Sequence, residues 1–119
     1  MSTNNMPTID MDVFNDLLSI LEDDFYELLE EFIRDTPAQL TLLNSAIEQA
    51  DFKEIFAIGH AQTGAAGNIG LSKFFHLCKD LCQQAKDKNI NECSQLSNKL
   101  QKNYDECKIL LTEKINKLN

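Results

Sequence analysis

The sequence predicts an all-α protein, an antiparallel up-down four-helix bundle with a short extra N-terminal helix, and three observations carry that prediction. The 119 residues include only four Gly and two Pro, too little punctuation for the many turns of a sheet protein. Apolar residues recur three and four positions apart along most of the chain, the spacing of one face of a helix. Capping residues and short polar links divide these stripes into segments, and links this short force neighbouring helices to run antiparallel.

Taken in order, the polar residues 1–8 are expected to be a flexible leader, and residues 9–119 a single helical bundle domain. Asp10 is an N-cap candidate for a first helix bearing Met11, Phe14, Leu17, Leu18 and Leu21. Phe25, Leu28, Leu29, Phe32 and Ile33 continue the helical spacing, and Leu40, Leu43 and Ile47 extend it toward Ala50. Pro37 interrupts this segment, either kinking one helix or opening a new one after Thr36. Asp51-Phe52-Lys53-Glu54 has the form of a capping box for the next helix, which Gly70 is placed to end in a left-handed conformation. A further amphipathic helix runs from Leu71 to about Lys88 through Phe74, Phe75, Cys78, Leu81, Cys82 and Ala85. Asn89-Ile90-Asn91-Glu92 is a second capping pattern, and apolar positions from Cys93 to Leu118 line a long final helix.

Charge narrows the function classes. The net charge is −8, whereas a binder of nucleic-acid backbones shows a basic face that displaces counterions. Residues 1–35 hold ten acids against Arg34, while the remainder holds nine acids and ten Lys. Between Glu54 and Asp80 there is no acid, and Lys73 and Lys79 are the charged residues. A group that holds a phosphate dianion is favoured in such a window. No apolar run approaches the roughly 20 residues that cross a bilayer, and the N-terminus lacks a charged segment followed by an apolar one. The expectation is a cytoplasmic monomer that engages neither nucleic acid nor membrane, with Cys78, Cys82, Cys93 and Cys107 as reduced thiols.

The segment from Gly59 to Gly70 needs its own explanation. Each internal helical Gly costs about 1 kcal/mol relative to Ala, and Gly59, Gly64 and Gly67 fall within one helix. Thr63 and Gly64 lie one turn beyond His60 and Gly67 two turns beyond. Two explanations stand side by side. Small residues let two helix backbones approach, with His60 as a satisfied packing residue. Alternatively His60 stands on a bare floor that the concave active site of another protein can reach, its neutral imidazole offering a nucleophilic nitrogen.

The stretch from His60 to Gly70 resembles the histidine-containing phosphotransfer (HPt) domains, whose pattern is His, two residues, Lys-Gly, five residues, Gly. It matches at His60, Gly64 and Gly70, with Ala65, Ala66 and Gly67 between; the helix order over nearly the whole chain is similar too. The resemblance implies that His60 accepts a phosphoryl group from the aspartyl phosphate of a receiver domain and passes it to another, a carrier in two-component signalling rather than an enzyme. It implies response-regulator receiver domains, a hybrid sensor kinase, or both as partners, and no cofactor of the chain's own, since Mg²⁺ comes with the receiver. Gly64 and Gly67 then leave room for the phosphoryl group and the receiver's loops. Two departures stand out. Thr63 occupies the place of the family lysine and offers a hydroxyl without charge; Gln62 stands where relatives carry an apolar residue. Lys73 and Lys79 are candidates to replace the charge at longer range, and Gln83, with Cys82 nearer still, lies where relatives have a polar side chain that orients the imidazole.

Three readings follow: a relay carrier, a receiver-binding adaptor with weak or no transfer because of Thr63, and a redox- or metal-responsive bundle using its cysteines. Cys78 and Cys82 are spaced i, i+4 with His76 nearby, yet both fall on the apolar stripe and no second ligand pair has zinc-like spacing, which favours buried structural thiols. His76 reads as a surface residue, and Phe25, Phe32, Phe52, Phe56, Phe74 and Phe75 read as core.

Overall fold

In the computed structural model, which describes residues 6–118, five helices follow one another: α1 (Met11–Leu21), α2 (Asp23–Glu48), α3 (Phe52–Gly67), α4 (Ser72–Lys86) and α5 (Ile90–Leu118). No strand occurs among the described residues. The expected leader, residues 1–8, lies mostly outside them. Its end is fastened to the bundle, with the Thr8 hydroxyl donating to Glu106 of α5 at 3.4 Å and Ile9 buried.

Helix α1 begins where expected, because the Asp10 carboxylate accepts from the backbone N–H groups of Asp12 and Val13 at 3.1 and 3.2 Å. Glu22, at φ 49°, is the sole residue between α1 and α2. Phe14 tucks its ring edge-on against Phe25 of α2 with centroids 4.9 Å apart, so the acidic first helix is held by one buried aromatic.

Helix α2 runs unbroken through Pro37, which decides between the two options its sequence left open. Proline has no N–H and leaves the carbonyl four residues earlier without its helical donor. That carbonyl belongs to Ile33, and the Tyr104 hydroxyl of α5 donates to it at 2.6 Å. A side chain from another helix thus replaces the missing backbone bond.

The Asp51 carboxylate caps α3 by accepting from Glu54 N–H at 3.1 Å. Helix α3 ends at Gly67, three residues before Gly70, as the N–H groups of Ile69 and Leu71 both donate to the Ala66 carbonyl. Gly70 takes the expected left-handed conformation at φ 77°. Its carbonyl accepts from Asp10 N–H at 2.8 Å, and an added Cβ would come within 3.3 Å of Phe14 N and 3.4 Å of the Asp10 carbonyl. The turn that closes α3 is therefore also the seat of α1. Helix α4 stops at Lys86, short of Lys88, which turns the chain at φ 57°. The Asn89 amide, anticipated as a cap, instead donates to the Gln84 side chain at 2.7 Å.

Contacts of α2 with α3, α3 with α4, α4 with α5 and α5 with α2 close a ring, while α1 packs on α2. Inside it lie Phe25, Leu29 and Leu43 of α2, Ile55 of α3, Phe74, Leu77 and Leu81 of α4, and Leu100 and Leu111 of α5, all nearly inaccessible. Each such side chain contributes about 1.5–3 kcal/mol relative to exposure, which is why the apolar stripes dictate the bundle. Phe52, Phe56 and Phe75 depart from the expected core set and are only half-buried.

The bond between Tyr104 and Ile33 yields a stability prediction. Tyr104→Phe should cost about 1 kcal/mol in chemical denaturation, the loss of a partly buried hydrogen bond to a carbonyl with no helical donor. Pro37→Ala in the same chain, which restores an N–H at that position, should recover most of the loss; if it does not, the hydroxyl is not replacing the helical donor.

Candidate functional site

His60 lies just past the midpoint of α3 and is exposed. One turn before it, Phe56 presents a ring parallel to the imidazole, with an interplanar angle of 9° and centroids 6.0 Å apart. One turn after it, Gly64 faces open space, and a Cβ built there would meet nothing within 4 Å. Two turns after it, a Cβ on Gly67 would just touch the Phe75 ring of α4 at 3.4 Å. The stripe thus passes from an aromatic wall, across His60, to a floor of bare backbone.

Gly59 serves a different purpose. A Cβ there would stand 2.9 Å from Cys82 Sγ and 3.5 Å from the Cys78 carbonyl, so its absence lets α3 and α4 approach. Gly59 is thus a packing glycine, although His60 beside it is exposed rather than packed, and at Gly64 the space beside the helix is open.

The polar neighbours are already engaged. Thr63 Oγ1 donates back to the Gly59 carbonyl at 2.8 Å, so its hydrogen is committed to its own helix. Gln62 is buried and its Oε1 accepts from the Thr36 hydroxyl at a long 3.5 Å, giving this polar residue in the core a polar partner. The Gln83 amide donates to both carboxylate oxygens of Asp87, at 3.3 and 3.2 Å; it is drawn along α4 rather than toward the imidazole. Cys82, half-buried, sends its thiol to the Phe56 carbonyl at 3.7 Å. Burial raises its pKa while the charge of Lys86 pulls the other way.

Among the lysines, Lys73 is the one whose charge reaches buried Cys107. Lys79 Nζ lies 5.5 Å from the centroid of Phe75 and Lys86 Nζ 5.3 Å from that of Phe56. Lys79 and Lys86 are seven residues apart on α4, two turns along one face. Phe56 and Phe75 read as core in the sequence because half-buried aromatics share the helical spacing of buried ones, and Lys86 is set apart by no local pattern. The signal available was that Phe56 precedes His60 by four residues.

The cysteines do not assemble into a metal centre. Among the described residues no group of three or more His, Cys, Asp or Glu is placed to hold an ion, and all four cysteines are free. Cys78 is buried, which pushes its thiol pKa far up, and burial drives Cys107 up to about 12. Both behave as apolar core residues. His76, read as a surface residue, is half-buried edge-on to Phe75. No helix among the described residues is long and apolar enough to cross a membrane.

Comparison with known proteins places this geometry in context. The family model of the Hpt domain matches residues 27–109. The fold is similar to the crystal structure of histidine-containing phosphotransfer protein B (HptB) from Pseudomonas aeruginosa PAO1, with a TM-score of 0.89 and 22% identity over 95% of this chain and 98% of that one. No curated protein matches the sequence.

The contrast between the two glycines is open to measurement. Gly64→Ala should raise stability by about 0.5–1 kcal/mol, because it gains helix propensity and meets no neighbour. Gly59→Ala should lower it by about 1–3 kcal/mol through overpacking, and Cys82→Ala in the same chain should relieve most of that loss. Equal effects of the two alanines on the denaturation midpoint would contradict the division of roles.

Proposed function

Because the chain belongs to the Hpt family, we propose that it is a phosphorelay carrier in which His60 takes a phosphoryl group from the aspartyl phosphate of one response-regulator receiver domain and gives it to another. The observation that carries this reading is the exposed imidazole beside the empty Cβ position of Gly64. The imidazole has the Phe56 ring on one side, but on the Gly64 side no Cβ stands in the way of a partner's concave site.

In the reaction a ring nitrogen of neutral His60 attacks phosphorus, a P–N bond forms, and the P–O bond to the aspartyl carboxylate breaks with the carboxylate as leaving group. The other ring nitrogen then releases its proton to solvent. This chain contributes the nucleophile, held parallel to Phe56, and the clearing at Gly64 and Gly67. The receiver domain contributes Mg²⁺ and the groups that neutralise the transferring phosphoryl. Acyl phosphate and phosphoramidate are both reactive, so transfer runs either way and the partners, including any hybrid sensor kinase, set its direction.

A specific observation supports the second reading, a receiver-binding adaptor. The Thr63 hydrogen is spent on Gly59, so the residue in the family lysine's position offers neither charge nor a free donor. Incubation with a phosphorylated receiver separates the two. Label appearing on this chain and lost in His60→Gln establishes transfer; a complex without label establishes the adaptor. For a carrier, Thr63→Lys is expected to slow phosphohistidine hydrolysis several-fold, and equal rates would show that the cation is immaterial at this position.

A further inference from the structure

The Hpt pattern places a lysine one turn after the histidine, and here that cation is absent. Another cation approaches from the opposite side. Lys86, in the last turn of α4, sets its Nζ 5.3 Å from the centroid of Phe56, and the same ring lies parallel to His60. Phe56 therefore carries a cation and an imidazole at once. The aromatic face attracts the ammonium, and one short side chain of α3 ties the two groups together.

Three further observations favour a working charge over a stray surface lysine. Lys86 has no carboxylate within ion-pair distance among the described residues, where the sole salt bridge joins Arg34 to Asp35. The neighbouring Asp87 accepts from Gln83 instead. Lys53 and Lys88 line the same shallow pocket with Phe52, Phe56 and Lys86, while Asp51 and Asp87 at these helix ends are engaged by Glu54 N–H and the Gln83 amide. The nearest alternative, Lys79, rests on Phe75, which borders Gly67 rather than His60.

We propose that Lys86, held over Phe56, supplies the positive charge to phosphorylated His60 that Thr63 does not, and that it lengthens the life of the phosphohistidine. The proposal rests on the carrier reading. Phosphohistidine hydrolyses fastest when the imidazole leaving group is protonated. A nearby cation opposes that protonation and stabilises the phosphoryl dianion, so both effects slow the loss of phosphate.

The test needs no cognate receiver. The folded protein is treated with a small-molecule phosphoramidate, whose P–N bond breaks with loss of ammonia as the P–N bond to His60 forms. After removal of the reagent, phosphohistidine decay is followed by ³¹P NMR for the wild type, Lys86→Gln, Lys86→Arg and Lys79→Gln, with circular dichroism to confirm the fold. Lys86→Gln is expected to shorten the half-life by roughly threefold or more, with Lys86→Arg close to wild type and Lys79→Gln little changed. At about 1 M salt, where screening acts within about 3 Å, the wild type should move toward the Lys86→Gln rate while that variant barely responds, a difference that a purely structural role does not produce. An unchanged half-life in Lys86→Gln overturns the proposal, as does an equal loss in Lys79→Gln, which would assign the effect to the face as a whole. Absence of label on the wild type after incubation with a phosphorylated receiver, a separate measurement, overturns the carrier reading and the proposal with it.

Discussion

The close approach of α3 to α4 at Gly59 is the constraint on which the candidate site depends. With no Cβ at that position, Cys82 Sγ and the Cys78 carbonyl come against the α3 backbone, and α4 is near enough for Lys86 to lie over Phe56. Helix axes normally stand 8–10 Å apart, and small residues bring them to the lower end of that range. A side chain at Gly59 would push apart the two helices that together make the surface around His60. The thiol of Cys82 occupies the space that the glycine leaves, which accounts for a small, half-buried residue there better than any redox or metal role does.

Two further contacts keep that surface in place from a distance. Tyr104 reaches from α5 to the carbonyl that Pro37 strands on α2, so the long helix crosses its proline without breaking and α2 remains a single wall behind α3. At the other end, Gly70 closes α3 and accepts the first hydrogen bond of α1. Because the left-handed turn and the docking of α1 share one residue, the end of α3 two turns beyond His60 cannot fray without also releasing α1. The bare floor at Gly64 and Gly67 carries low helix propensity, and it is framed on both sides by these non-helical anchors.

The helices were legible in the sequence because their stripes are long and their caps chemically plain: Asp10 and Asp51 cap as their positions predict. Gly70 is left-handed as its place after Ile69 suggests. Less legible were features set by a partner far away in the chain. Whether Pro37 would kink or break a helix depends on Tyr104, 67 residues later, and no local pattern announces it. Asn89 has the form of a cap but turns to Gln84, and Gln83 is drawn to Asp87; polar surface side chains choose among several near-equal partners, and spacing alone does not rank them. At the site, His60 and Gly64 were found by motif. The distinction between Gly59 and Gly64 required knowing which face of α3 meets α4, and the weak amphipathicity of so small-residued a helix obscured it.

The distribution of charge joins these pieces into one mechanism. Ten acids in the first 35 residues make α1 and the first half of α2 strongly negative, a surface that would repel the phosphorylated aspartate of the proposed receiver partner. The segment between Glu54 and Asp80 carries no acid, and Lys79 and Lys86 lie on the adjoining face of α4. With a screening length of about 8 Å at physiological salt, a partner feels the acids only when it approaches from their side. Net charge therefore says little about where a phosphoryl group is received. On the proposed relay reading, the acid-free stretch around His60 would be the side from which a receiver approaches, and Lys86, over the Phe56 ring that lies parallel to the imidazole, would remain there after the partner leaves. Steering and protection of the phosphorylated state would then be two consequences of one arrangement, set by how closely α4 lies against α3.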